Sequence, residues 1–117
     1  MESVLRGVIS ITNDDGTISL IRGATIQILK LNKNRNQFED YVSISNNQSN
    51  VIVSNQSGEY DLVLPEGSYQ FIIKESNIKT LKYEYNSDRS SIVNINFNVS
   101  PVSSFMKLIN SFIGIFK

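Results

Sequence analysis

Histidine and cysteine are both absent from this 117-residue sequence. Without cysteine there is no disulfide to hold the fold and no thiolate to bind a metal. Without histidine the commonest general base and the commonest zinc ligand are missing, and a Ser-His-Asp triad is excluded. There is no excess of either charge: Lys plus Arg and Asp plus Glu number 11 each. Nucleic-acid binders displace counterions with a basic surplus, so nucleic acid is not an expected partner. Nowhere do about 18 apolar residues run together, the length a spanning helix requires. The opening MESVLRGVISIT lacks a basic stretch followed by an apolar one. It therefore predicts no export signal, and implies a cytoplasmic protein or part of a particle assembled there. The absences also predict no cofactor and no metal.

What is present is alternation. Apolar residues make up 40% of the chain, enough for the core of one ordinary domain. Period-two patterning recurs from Leu5, Gly7, Ile9 and Ile11 onward. Asn13-Asp14-Asp15-Gly16 reads as a turn, since Asp-Gly tolerates positive φ. Short apolar segments follow at Ile18 and Leu20, at Ala24, Ile26 and Ile28, at Phe38 to Ser45, and at Val51 to Val53. Tyr60, Leu62 and Leu64 share one strand face, Pro65-Glu66-Gly67 turns the chain, and Tyr69, Phe71 and Ile73 share the next. The pattern predicts a β-hairpin there, with aromatic side chains pairing across its strands. Leu81, Tyr83 and Tyr85 mark a further strand. The last carries Val93, Ile95, Phe97 and Val99 inward and Asn94, Asn96 and Asn98 outward. Seven or eight short strands at this spacing predict an all-β fold, an antiparallel β-sandwich.

The run Ser54-Asn55-Gln56-Ser57-Gly58-Glu59-Tyr60, followed by Leu62 and Leu64-Pro65-Glu66-Gly67-Ser68-Tyr69, resembles the carboxypeptidase regulatory-like signature T-D-x-x-G-x-Y-x-h-x-L-P-x-G-x-Y. Gly7-Val8-Ile9 and Arg22-Gly23-Ala24-Thr25-Ile26 resemble two upstream strands of that family. The resemblance covers residues 4 to about 99 and implies a transthyretin-like, seven-stranded sandwich, related in shape to collagen-adhesin repeats. It implies folding, spacing or docking roles and no catalysis. Ser54-Asn55 stands where the family prefers Thr-Asp; the replacement keeps side chains able to bond to the turn backbone. Adhesin-type repeats often carry a Lys–Asn crosslink, but the first strand here offers Arg6, so none is expected.

Other candidates have plainer readings. Asn13-Asp14-Asp15-Gly16 offers oxygen ligands for calcium, yet lacks the EF-hand positions and reads as a hairpin turn. Asp14-Asp15 and Glu39-Asp40 are adjacent, so on a strand each pair diverges. Three N-x-[ST] sites, at Asn47, Asn55 and Asn98, are the number expected by chance in a chain rich in Asn and Ser. Tyr41, Tyr60, Tyr69, Tyr83 and Tyr85 could line a groove, but core packing accounts better for Tyr60 and Tyr69. The tip Asn46 to Asn50 suits either a partner or solvent.

After Ser100 the period changes from two to 3.6. Residues 1–100 thus read as the sandwich and 101–117 as a short amphipathic helix. Pro101 opens it and Ser103 or Ser104 caps it. Its apolar face comprises Phe105, Met106, Leu108, Ile109, Phe112, Ile113, Ile115 and Phe116. About 14 residues span roughly 21 Å, too little to cross a bilayer. Such a face calls for cover. Three placements provide it: a groove of another subunit, self-association or packing back on the sandwich, and a membrane surface. With only Lys107 and Lys117 nearby, protein is favoured over membrane. The sequence thus points to a non-catalytic structural or interaction subunit of a larger assembly, such as a phage, injection-machine or filament component. The alternative is a surface adhesion or glycan- or protein-binding module held at a membrane by the tail.

Overall fold

A computed structural model describes residues 2–42, 49–88 and 90–102. Among them ten strands form two five-stranded sheets. The first sheet is organised around β1 (Glu2–Thr12). β6 (Glu59–Pro65) and β2 (Ile18–Leu20) pair antiparallel with successive halves of β1. Along the opposite side of β1 run β9 (Ile92–Asn94) and β10 (Phe97–Val99), both parallel to it. The second sheet orders β4 (Gln37–Asp40), β3 (Thr25–Asn32), β7 (Gly67–Lys74) and β8 (Leu81–Ser87). β5 (Val51–Val53) pairs with the first residues of β3.

The core lies between the sheets, where alternation put it. Leu5, Ile9, Leu62 and Leu64 from one sheet and Ile26, Ile28, Phe71 and Ile73 from the other are fully buried. Full burial of such side chains is worth roughly 1.5–3 kcal/mol each. Phe97 packs on Tyr60 and Tyr83, with ring centroids 5.5 and 5.1 Å apart, so aromatic contacts reach across the sandwich. A buried hydrogen bond of 2.8 Å between the Ser3 and Ser87 hydroxyls ties the two sheets together.

The hairpin expected at Pro65-Glu66-Gly67 does not form. Pro65 pairs with Glu2 in one sheet and Gly67 with Ser87 in the other, so the chain crosses between sheets at Glu66. β6 and β7 therefore face each other through side chains. The Tyr69 hydroxyl donates to the Pro65 carbonyl at 2.7 Å and fastens the crossing, the geometry of a tyrosine corner. Inward alternation is the same in a hairpin and in such an arch, which is why the pattern alone suggested the former.

The last strand also departs from expectation. It pairs parallel with β1 and is interrupted at Ile95–Asn96, which with the short edge segments brings the count to ten. At the interruption a Cβ on Gly7 would stand only 1.9 Å from the Ile95 carbonyl oxygen. That carbonyl accepts the Tyr60 hydroxyl. β4 stops at Asp40: Tyr41 is buried beside it, Val42 is exposed, and residues 43–45 lie outside the described residues. The helix expected over 101–117 falls outside them as well, apart from its first two residues.

Candidate functional site

The segment resembling the regulatory-like signature turns out to be a backbone anchor. The Ser54 hydroxyl donates to the Ile21 carbonyl at 2.7 Å and accepts the Ala24 N–H at 3.0 Å. Asn55 Oδ1 accepts the N–H groups of Ser57 and Glu59, each at 2.9 Å. Side-chain bonding to the turn thus survives the departure from Thr-Asp. Gly58, at φ 73°, completes the turn and lets it approach the Ile9 carbonyl.

Of the acidic pairs, Asp15, Glu39 and Asp40 are engaged locally. Asp15 accepts the Thr17 hydroxyl at 2.6 Å and its N–H at 3.0 Å, holding its carboxyl below the usual value. Asn13 closes the same β1–β2 turn through Thr17 and Ser19. Glu39 and Asp40 diverge. Glu39 accepts Asn32 at 2.6 Å and pairs with Arg35 at 3.3 Å, which lowers its carboxyl. Asp40 accepts Gln27 at 3.0 Å. Tyr41, Tyr60 and Tyr69 are core residues, and Tyr41 meets Tyr69 edge-on at 5.9 Å. Burial pushes the phenols of Tyr60 and Tyr69 well above their ordinary value. The Lys30 ammonium sits 5.8 Å from the centre of the Tyr69 ring, a cation–π contact.

The residues expected to dock, Phe105, Met106, Leu108, Ile109, Phe112, Ile113, Ile115 and Phe116, lie outside the described residues, as do Asn46 to Gln48 of the polar tip. The chain reaches the tail at the rim of the sandwich. There Pro101 bridges Ile78, and the Val102 N–H donates to the Asn77 carbonyl at 3.1 Å.

One arrangement was not anticipated. Across the outer face of the first sheet, Asp61, Arg6 and Asn94 are register neighbours on β6, β1 and β9. Arg6 Nε lies 3.6 Å from the Asp61 carboxylate. One step along, Glu59 flanks Val8, whose N–H donates to Asn96 Oδ1 at 3.0 Å. Together they line a groove of about 530 Å³ that also touches Val53 and Asn55. Alternation placed the asparagines outside; the pairing of the first strand with the last, invisible in any local pattern, brought them beside Arg6. Among the described residues no group of three or more His, Cys, Asp or Glu could hold a metal ion.

No family model matches the chain, and no curated protein matches it in sequence. Solved structures do match in fold. A minor pilin of Streptococcus agalactiae superposes with a TM-score of 0.61 at 13% identity, over 88% of this chain and 46% of that one. The TIE protein of Bacillus anthracis gives 0.60 at 12%, over 87% and 18%. The 3-chlorocatechol 1,2-dioxygenase of Rhodococcus opacus gives 0.58 at 8%, over 87% and 60%. The fold is a β-sandwich shared by all three. This chain spans between 18% and 60% of their lengths.

Proposed function

We propose that the chain is a non-catalytic structural or interaction module, a subunit of a larger assembly that docks through residues 101–117. The observation that carries this reading is the division of apolar residues. The buried core is supplied by side chains from Leu5 to Val99, and no buried side-chain nitrogen or oxygen among the described residues lacks a partner. Beyond it, eight large apolar side chains from Phe105 to Phe116 still call for cover.

The fold's place within a longer minor pilin and a longer TIE protein supports a modular role. Its presence in a dioxygenase means that fold alone does not argue against catalysis. The non-catalytic reading rests instead on a sequence without histidine or cysteine. A phage, injection-machine or filament component is a setting of this kind. The polar groove beside Arg6 favours a second reading, a surface adhesion or glycan- or protein-binding module with the tail at a membrane.

Deleting residues 105–117 tests the first reading. The sandwich remains folded by circular dichroism and thermal melting, while self-association or partner binding disappears in analytical ultracentrifugation or pull-down. If the truncated chain unfolds, the tail belongs to the core and the docking role falls. Co-sedimentation of the intact chain with liposomes at low salt discriminates the second reading, which requires it.

A further inference from the structure

The outer face of the first sheet carries chemistry that docking through the tail does not use. Its central rows run Asp61, Arg6, Asn94 and then Glu59, Val8, Asn96. A third row, Leu20, Ser10, Asn98, follows, with Asn98 Nδ2 donating to the Ser10 hydroxyl at 3.1 Å. The side chains of Arg6 and Asp61 are both 61% exposed and form a surface ion pair across the β1–β6 register. Arg6 is oriented by Asp61 through Nε alone, which leaves its terminal nitrogens uncommitted among the described residues. Asn96 is fixed by its carbonyl on the Val8 N–H, which leaves its NH₂ to donate. Glu59 is tethered by Asn55 Nδ2 at 3.3 Å, through one oxygen only.

We propose that this groove binds a neutral saccharide, an inference that rests on the second reading above and not on docking through the tail. Its volume of about 530 Å³ lies within the roughly 300–1,000 Å³ usual for ligand sites. Adjacent sugar hydroxyls donate and accept at short spacing. A carboxylate, a guanidinium and an amide are planar groups that meet such pairs two bonds at a time. Here all three kinds stand side by side on one face of the first sheet, with Val8 of that face and Val53, reaching in from β5 of the second sheet, as apolar surface for ring carbons. Other ligand classes fit less well. Two carboxylates against one guanidinium oppose phosphate and sulfate, and two carboxylates are too few for a calcium cage. The polar lining disfavours an apolar ligand. The Tyr60 ring is buried with its hydroxyl on the Ile95 carbonyl, so it gives no stacking platform, and the affinity belongs in the millimolar range.

The test is a ¹⁵N–¹H NMR titration of the full chain with the methyl glycosides of glucose, galactose, mannose and N-acetylglucosamine, each to about 50 mM, since weak sites saturate only there. Inorganic phosphate and calcium chloride are titrated in parallel. At least one glycoside shifts the Val8 backbone amide and the Asn94 and Asn96 side-chain NH₂ signals, while phosphate and calcium leave them in place. Asn94→Ala and Arg6→Ala each weaken that response about tenfold, equivalent to one lost hydrogen bond to a charged or amide group. Both residues are exposed, and unchanged spectra elsewhere report that the variants fold. No shift with any of the four glycosides overturns the proposal. So do shifts mapping to another face, a response to phosphate or calcium in its place, or variants that bind as the parent does. Deleting residues 105–117 leaves this binding intact, so its outcome is read separately from that of the docking role.

Discussion

Four side chains show how single polar groups are made to serve a sheet fold. Ser54 is buried and joins the turn before β6 to the segment before β3, giving one hydrogen bond and receiving another. Ser54→Ala strands a carbonyl and an N–H together, and the expected loss is about 1–3 kcal/mol in urea unfolding. Tyr60 and Tyr69 anchor carbonyls at the two places where the chain leaves regular pairing, Ile95 and Pro65. Their phenols have folded pKa values raised above the ordinary 10 because burial disfavours the phenolate. A group raised in this way contributes stability that is whole below its unfolded pKa and is lost as pH climbs past it toward the folded one. Stability therefore falls above pH 10, and a Tyr60→Phe/Tyr69→Phe variant, weaker at pH 7, falls less steeply there; urea midpoints from pH 8 to 11 check both parts. Asp15 works in the opposite sense. Its carboxyl lies below the ordinary 3.8 because of Thr17, so its contribution is whole above that value and is lost as pH drops beneath it. Asp15→Asn makes the urea midpoint less sensitive to acid between pH 5 and 2.5.

At the level of elements, what was legible in the sequence was the phase of the longer core strands, β1, β3, β6 and β7, while the apolar pair Ile18 and Leu20 of β2 is exposed. What was not legible was each strand's neighbour. Leu62, Leu64, Phe71 and Ile73 were placed inward from alternation and are fully buried. Whether β6 pairs with β7 or faces it across the core was undetermined, because both arrangements turn the same side chains inward. The decisive contacts, Pro65 with Glu2 and Gly67 with Ser87, are long-range and leave no mark on the local pattern. The same is true of β9 and β10 on β1, separated by some 88 positions in register, Val4 opposite Ile92 and Ile9 opposite Phe97. The groove went unseen for this reason: Arg6, Asp61 and Asn94 are ordinary solvent-facing residues until the register sets them abreast. One local sign existed. Gly7 interrupts the first apolar alternation, and a glycine inside a strand often marks close approach of another backbone. Here the approach is the Ile95 carbonyl, 1.9 Å from where a Cβ would stand. Gly7→Ala therefore forces β9 and β10 off β1, and the expected loss is about 2–3 kcal/mol, the upper part of what overpacking costs. Amide exchange localises it: protection falls first at Ile95 and Phe97, and last in β3 and β7.

For the molecule as a whole, the question is whether the apolar residues form one cooperative body or two groups with separate work. The sandwich core and the segment from Phe105 to Phe116 have similar composition but different periods, two and 3.6, so a single sheet-to-sheet interior does not accommodate both in register. If the work is divided, substitutions in the two groups have uncoupled effects. Phe71→Ala removes a fully buried ring from the centre of the core and costs about 3–5 kcal/mol of unfolding free energy, leaving any surviving folded fraction able to associate. Ile109→Asp/Ile113→Asp places two charges among the apolar residues of the tail. It leaves the melting temperature of the dilute chain unchanged and abolishes concentration-dependent sedimentation or partner capture. A melting temperature that falls with this variant at every concentration means that these residues are sheltered by their own sandwich. In that event tail and core are one body, and the module has no docking arm.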